Sequence, residues 1–246
     1  MKPARSDKAL ETPHSWSQLK NGDWVSESIQ TRLDEWCPKL FGYHMLKLGG
    51  LSCELASCTC NIQHQVHLDV NNPLHTVIAD CYQLPFLEKS IDVAILAHQL
   101  DYSHDPHGLL REVDRVLIDD GYMIITGFNP ISWVGLASLM PWRKNNLPWS
   151  GRMFTPNRIK DWLSVLNYQV VACEQYALLP IHKYRPLSTW LENGLVGESS
   201  VALGSLYFIV ARKRTCLLKP LRSQWRLKRR LTPLGVNYRV DSKSQQ

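Results

Sequence analysis

The stretch "VIADCYQLPFLEKSIDVAILAHQLDYSHDPHGLLREVDRVLIDDGYMIITGF", residues 77–128, decides how the rest of the chain is read. Within it "SIDVAILAH" (90–98) is a nearly unbroken apolar run of the length and β-branched content of a strand buried on both faces. "DPHGLLREVDRVL" (105–117) follows, with Leu109, Leu110, Val113, Val116 and Leu117 on one face of a 3.6-residue period. Asp105 is placed to cap that helix, Pro106 suits its first turn, and Asp119-Asp120-Gly121 closes the unit before the next strand, "YMIITGF". Strand, helix and strand in this order predict a parallel pair joined by a crossover.

Outward from this unit the alternation continues. "WVSESIQTRLDEW" (24–36) has helical spacing of Trp24, Ile29, Leu33 and Trp36. Residues 43–48 read as a strand, 51 to about 58 as a short helix, and 64–70 and 75–80 as two further strands. Thr155-Pro156 starts a helix that runs to a turn near Asn167 with a strand after it, and "GSLYFIVARK" (204–213) is a late strand suited to antiparallel pairing at an edge. The expected fold class is therefore α/β, a doubly wound, mostly parallel sheet with an antiparallel edge hairpin. Three segments are expected: an N-terminal helical segment (1–39), a central domain (40–213) and a basic C-terminal tail (214–246).

Charge separates the last two. Residues 212–246 hold eleven cations against one acid, net +10, so the remainder must sum to −4 for the chain's total of +6. The tail mixes its cations with Leu and Trp225, which suits RNA phosphates or an anionic surface contacted through 212–230, or a solubilising tail. The seven cysteines are odd in number and irregularly spaced, so no disulfide framework is expected and the cytoplasm is the expected location. The uncharged stretch 121–142 is long enough to cross a bilayer, but Asn129-Pro130 divides it into a strand-like and a helix-like half, and no transmembrane segment is expected. Clusters around Cys53–His67 and His98–His107 lack zinc-ligand spacing, so no metal site is expected.

The middle of the chain resembles class I S-adenosylmethionine-dependent methyltransferases, most closely the group called methyltransferase type 11. The matching features are Asp80-Cys81, then Leu84-Pro85-Phe86, the Ser90 to Val93 strand start, and Pro106, Leu110, Glu112, Arg115, Leu117 and Gly121 along the helix. The resemblance spans roughly 40–213 and implies S-adenosylmethionine as cofactor and methyl transfer to an unidentified acceptor. It also implies cofactor contacts at Lys47, Gly49, Asp69, Asp80, Cys81 and His98: Asp80 and Cys81 at the adenine, Asp69 at the ribose hydroxyls, and Gly49 in the glycine turn. Candidates for positioning the acceptor, or removing its proton, follow the fourth and fifth strands, namely His98, Tyr102, His104 and Asn129. Asp92 is expected to bond backbone within the sheet, and Arg111, Glu112 and Arg115 to form a solvated or structural helix face.

The departure from the family lies in "HMLKLGGLSCEL" (44–55), where Lys47 occupies the family's acid position and Leu51 and Cys53 replace later glycines. An ammonium about 4 Å from the cofactor's own cations costs roughly 4 kcal/mol at an effective dielectric of 20. Either Lys47 turns to solvent or to the cofactor carboxylate, or other acids take over; the alternative to an enzyme is a non-catalytic binding module of the same fold.

Overall fold

The computed structural model describes residues 12–19, 21–57, 59–69, 77–132, 150–176 and 204–215. The chain divides into two units, Met1–Thr215 and Cys216–Gln246, and all described residues lie in the first. Most of the basic tail, the segment 133–149 and the segment 177–203 fall outside the described residues.

Six strands form one sheet: β1 (His44–Leu48), β2 (His64–Leu68), β3 (Ile91–Ala97), β4 (Leu117–Phe128), β5 (Tyr168–Tyr176) and β6 (Leu206–Lys213). Their order is β2-β1-β3-β4-β6-β5. All neighbouring pairs are parallel except those of β6, which runs antiparallel to β4 and to β5. The late strand thus lies inside the sheet and β5 takes the edge. Among the described residues four α-helices cover it: α1 (Gly22–Trp36), α2 (Gly50–Glu54), α3 (Pro106–Val116) and α4 (Pro156–Val165).

Strand parity divides the apolar residues between two cores. Leu46, Leu48, Ala94 and Leu96 face Leu109, Leu110 and Val113 of α3 and Ile159 and Leu163 of α4. Met45, Val93 and Ile95 face Val25, Ile29 and Leu33 of α1. Every residue of β3 is buried, the expected consequence of lying between two covered faces. Asp105 caps α3 by accepting from the Gly108 amide at 3.0 Å, and Thr155 caps α4 through Arg158 at 3.4 Å.

Two of the expected elements differ. The strand anticipated over 75–80 is reduced, among the described residues, to a single parallel bridge between Val77 and Leu68. Only ten residues lie between Asp69 and Asp80, fewer than the dozen or more that a crossover between full parallel strands needs. The helix expected to reach 58 ends at Glu54, because the Leu55 backbone turns to an extended conformation and its carbonyl is bound elsewhere. The cysteines also depart from expectation: Cys37 and Cys60 form a disulfide between the end of α1 and the segment leading into β2. Their 23-residue separation matches no spacing pattern; packing of α1 against this segment brings the two Cα atoms to 4.5 Å.

Candidate functional site

The sheet order reverses between β1 and β3, since the chain leaves β1 toward β2 on one side and returns to β3 on the other. In a doubly wound sheet ligands bind beyond the carboxyl ends of the strands at that point. Here those ends carry Gly49 and Gly50 after β1, Asp69 after β2, and His98 and Gln99 after β3.

Gly49 has φ 85°, a conformation that disfavours any side chain, and a Cβ there would come within 2.0 Å of the Gln99 side-chain oxygen. Its amide donates to Leu68 O at 2.8 Å, tying the turn to β2. Ser52 then fastens α2 to the sheet: its hydroxyl donates to Leu48 O at 2.6 Å and accepts from the Ala97 amide at 2.7 Å. Burial pushes the neighbouring Cys53 thiol up to about 12, with Asp69 adding to the shift.

Lys47 is only 2% exposed, and its ammonium donates to the Leu55 carbonyl at 2.6 Å. The cation therefore holds the C-terminal end of α2, an orphan carbonyl that the short helix leaves without an intrahelical partner.

Asp69 is 3% exposed, and its Oδ2 lies 3.1 Å from Nδ1 of His14, which arrives from the N-terminal segment. The same segment lies across the glycine turn. The Trp16 indole donates to Leu51 O at 3.0 Å, the Trp16 amide donates to Glu54 at 2.9 Å, and a Cβ on Gly50 would come within 2.4 Å of the His14 carbonyl oxygen. Asp80 is exposed and accepts from the Tyr82 amide at 3.0 Å, forming a local turn. Cys81 beside it is buried, contacts the Gln99 amide at 3.6 Å, and has its thiol pushed up to about 12 by burial and then by Asp80.

His98 is fully buried at the end of β3, with Nδ1 3.0 Å from Asp101 Oδ2. Burial holds the Asp101 carboxyl above its usual range, opposed by its hydrogen bond from His98. Tyr102 is buried and packs where Gly151 passes, and burial raises its phenol above the ordinary range. His104 is exposed, its ring 4.2 Å from that of Tyr82. Asn129 is buried and occupied by the turn after β4: its Nδ2 donates to Gly204 O at 3.0 Å and Gln175 at 3.1 Å, and its Oδ1 accepts from Ile131. Gly49, Asp69, Cys81 and His98 are thus gathered at the strand ends through Gln99, His14 and Trp16, with Asp80 on the rim. Tyr102, His104 and Asn129 are engaged in holding the loops after β3 and β4.

Asp92 accepts from the Tyr43 and His44 amides at 2.9 and 2.8 Å, the backbone role expected of it. Glu112 and Arg115 do more than face solvent. Glu112 accepts from the Leu84 amide at 2.8 Å, while Arg115 donates to the carbonyls of Leu84 and Phe86, each at 3.0 Å, and to Glu112 at 2.6 Å. The acid and base of α3 therefore clamp the Leu84-Pro85-Phe86 loop. The site residues that sequence reasoning missed are His14, Trp16, Ser52 and Asp101. Only Asp101 carried a signal, its i,i+3 spacing from His98.

These features fit a nucleoside cofactor with a flexible amino-acid end. The Gly49 turn has no room for a Cβ beside Gln99, and a buried carboxylate such as that of Asp69 has the acceptor capacity for two hydroxyl donors. Comparison with known proteins bears on the same segment. A model of the methyltransferase-domain family matches residues 52–125. The uncharacterized protein YafS of Escherichia coli K12 is 43% identical over 217 residues, covering 87% of each chain. The crystal structure of a SAM-dependent methyltransferase from Archaeoglobus fulgidus superposes with TM-score 0.53 at 20% identity, over 76% of this chain and 94% of that one. A SAM-dependent methyltransferase from Mesorhizobium loti gives 0.52 at 16% identity, over 78% and 99%.

Proposed function

The chain belongs to the class I S-adenosylmethionine-dependent methyltransferase family, and from that premise we propose that it transfers a methyl group from S-adenosylmethionine to an acceptor. The observation that carries this reading is the buried Asp69 carboxylate beside a Gly49 turn at the point where the strand order reverses. When bound, the cofactor supplies a sulfonium methyl that is already activated, so the protein's task is alignment and exclusion of water.

Asp69 would take the ribose hydroxyls; a carboxylate accepts several donors, so its contact with His14 is compatible with this role. Asp80 and the Cys81 amide would meet the adenine edge, and the backbone from Gly49 the methionine part. Lys47 serves the loop: with its ammonium bound to Leu55 O it steadies α2. Trp16 and His14 hold the N-terminal segment over the turn, which favours exclusion of water. We extend the reading to a three-part chain of an N-terminal helical segment 1–39, a domain 40–213, and a tail 214–246 that contacts RNA or an anionic surface through its net positive charge. Binding to RNA that weakens steeply with salt and disappears on deleting 214–246 is the expected behaviour, and unchanged binding after the deletion would refute the tail's role.

The function itself is tested by calorimetry with S-adenosylmethionine and its demethylated product S-adenosylhomocysteine. Binding of both is expected, and absence of binding by either at millimolar concentration refutes it.

A further inference from the structure

Asp69 is hard to reach. Its side chain is only 4% exposed, and the ring of His14 lies on it, Nδ1 3.1 Å from Oδ2. A carboxylate can accept several donors, but only those with a path to its oxygens. The glycine turn beside it is covered as well. The direction in which a Gly50 Cβ would point is filled by the His14 carbonyl, and the corresponding direction at Gly49 by the Gln99 side-chain amide. The surface that would meet a ribose and an amino-acid end is therefore occupied by the protein's own chain, and His14 contributes to both parts of the cover.

The two ends of the covering segment are held differently. Trp16 is 3% exposed and belongs to the same core cluster as Val25 and Leu51; its indole donates to Leu51 O at 3.0 Å, its amide donates to Glu54 at 2.9 Å, and Gly22 makes room for its carbonyl. Dislodging it would strip an aromatic side chain from the core and leave a buried acceptor without its donor. His14 lies two residues away with its side chain 32% exposed. Its amide donates to the Gln18 side chain at 3.0 Å on the surface, and its ring contact with Asp69 is part-buried. Contacts of this kind exchange for water at little cost. Ser15, between the two, has extended backbone, so a rotation there lifts His14 and leaves Trp16 in place.

Resting on the reading of these strand ends as a cofactor site, we propose that His14 is a gate on that site. In the empty protein it covers Asp69 and Gly50; on occupation it gives up its place on Asp69 to the ribose hydroxyls, and the segment turns aside at Ser15 with Trp16 still seated. Only molecules with the gate open are competent to bind, so the apparent affinity is reduced by the open fraction. The obstruction is one of space and holds whichever ring nitrogen carries the hydrogen. His14 in this role regulates occupancy and is no part of the occupied site.

Calorimetry of S-adenosylhomocysteine with the full-chain parent and His14→Ala gives the first test. The variant is expected to bind about tenfold more tightly, since it has no gate to displace. If the parent binds and the variant binds equally or more weakly, the gate is overturned while the cofactor reading stands; weaker binding would make His14 a wall of the occupied site. Binding by the variant alone supports the gate, and absence of binding by both fails the underlying reading and the gate with it. Denaturant unfolding supplies a readout that a merely structural His14 would not move. Without ligand the parent should be the more stable of the two, and at S-adenosylhomocysteine about a hundredfold above both dissociation constants they should unfold together. A gap that persists undiminished with ligand, or no gap without it, overturns the proposal. Trp16→Phe, which removes the indole donor from Leu51 O, should lose the same stability with and without ligand. A loss confined to the ligand-free protein would show that Trp16 leaves with His14 and overturn the pivot.

Discussion

The glycine turn after β1 and the Leu84–Phe86 loop ahead of β3 are held in opposite ways. The loop keeps the family pattern, and the polar residues of that pattern, Glu112 and Arg115, hold it directly from α3. The turn has lost the family's acid and later glycines, and side chains from elsewhere secure it: Lys47 on Leu55, Ser52 between β1 and β3, and Trp16 and His14 from the N-terminal segment. A motif can thus be intact for structural reasons, and a motif can look degraded where its support has been replaced.

The strongest challenge to this contrast is to restore the family's acid. If Lys47 were a defect, Lys47→Asp would improve the protein. With Leu55 O as the facing acceptor, a buried carboxylate has instead lost its donor, and denaturant unfolding should show a loss of roughly 4 kcal/mol. Equal or greater stability would make the lysine a defect after all. Reduction of the Cys37–Cys60 disulfide, which ties α1 to the segment after the turn, should cost about 3 kcal/mol for a loop of this length, read by the same measurement with and without reductant. No change would remove the disulfide from the turn's support.

On the other side of the comparison, Arg115→Ala should cost about 2 kcal/mol, moderated by the partial exposure of the ion pair. It should also alter the acid limb. The Arg115 hydrogen bond holds the Glu112 carboxyl below its usual range, so the stabilisation is present above the unfolded value near 4.5 and is lost as pH falls through the lower folded value. The stability gap between parent and variant should therefore narrow as pH falls through that lower folded value, leaving the part due to the Leu84 and Phe86 carbonyls. A gap that persists unchanged at acid pH would contradict the clamp.

The fold was legible in the sequence because its deciding elements are periodic: an apolar β3, an amphipathic α3 and a capped start at Asp105 state their class within a few residues. The strand expected over 75–80 was misjudged because a strand's composition does not reveal whether the connection before it is long enough for pairing. The site was legible only at strand ends. Where the Lys47 ammonium goes depends on α2 ending at Glu54, and the partner of Asp69 lies 55 residues away in a segment whose local pattern reports nothing about contact. The clamp had the opposite fault: Glu112 and Arg115 matched the family, but their task appeared only with the loop in place.

The account's central claim is that the replaced turn still frames a cofactor site, with Asp69 as its buried anionic acceptor. Calorimetric titration of S-adenosylhomocysteine into the parent and into Asp69→Ala tests it directly. The account predicts that the parent binds and that the variant, folded by its circular dichroism, binds about thirtyfold more weakly, near 2 kcal/mol for lost hydrogen bonds to a charged acceptor. Equal affinity of the two proteins would contradict it.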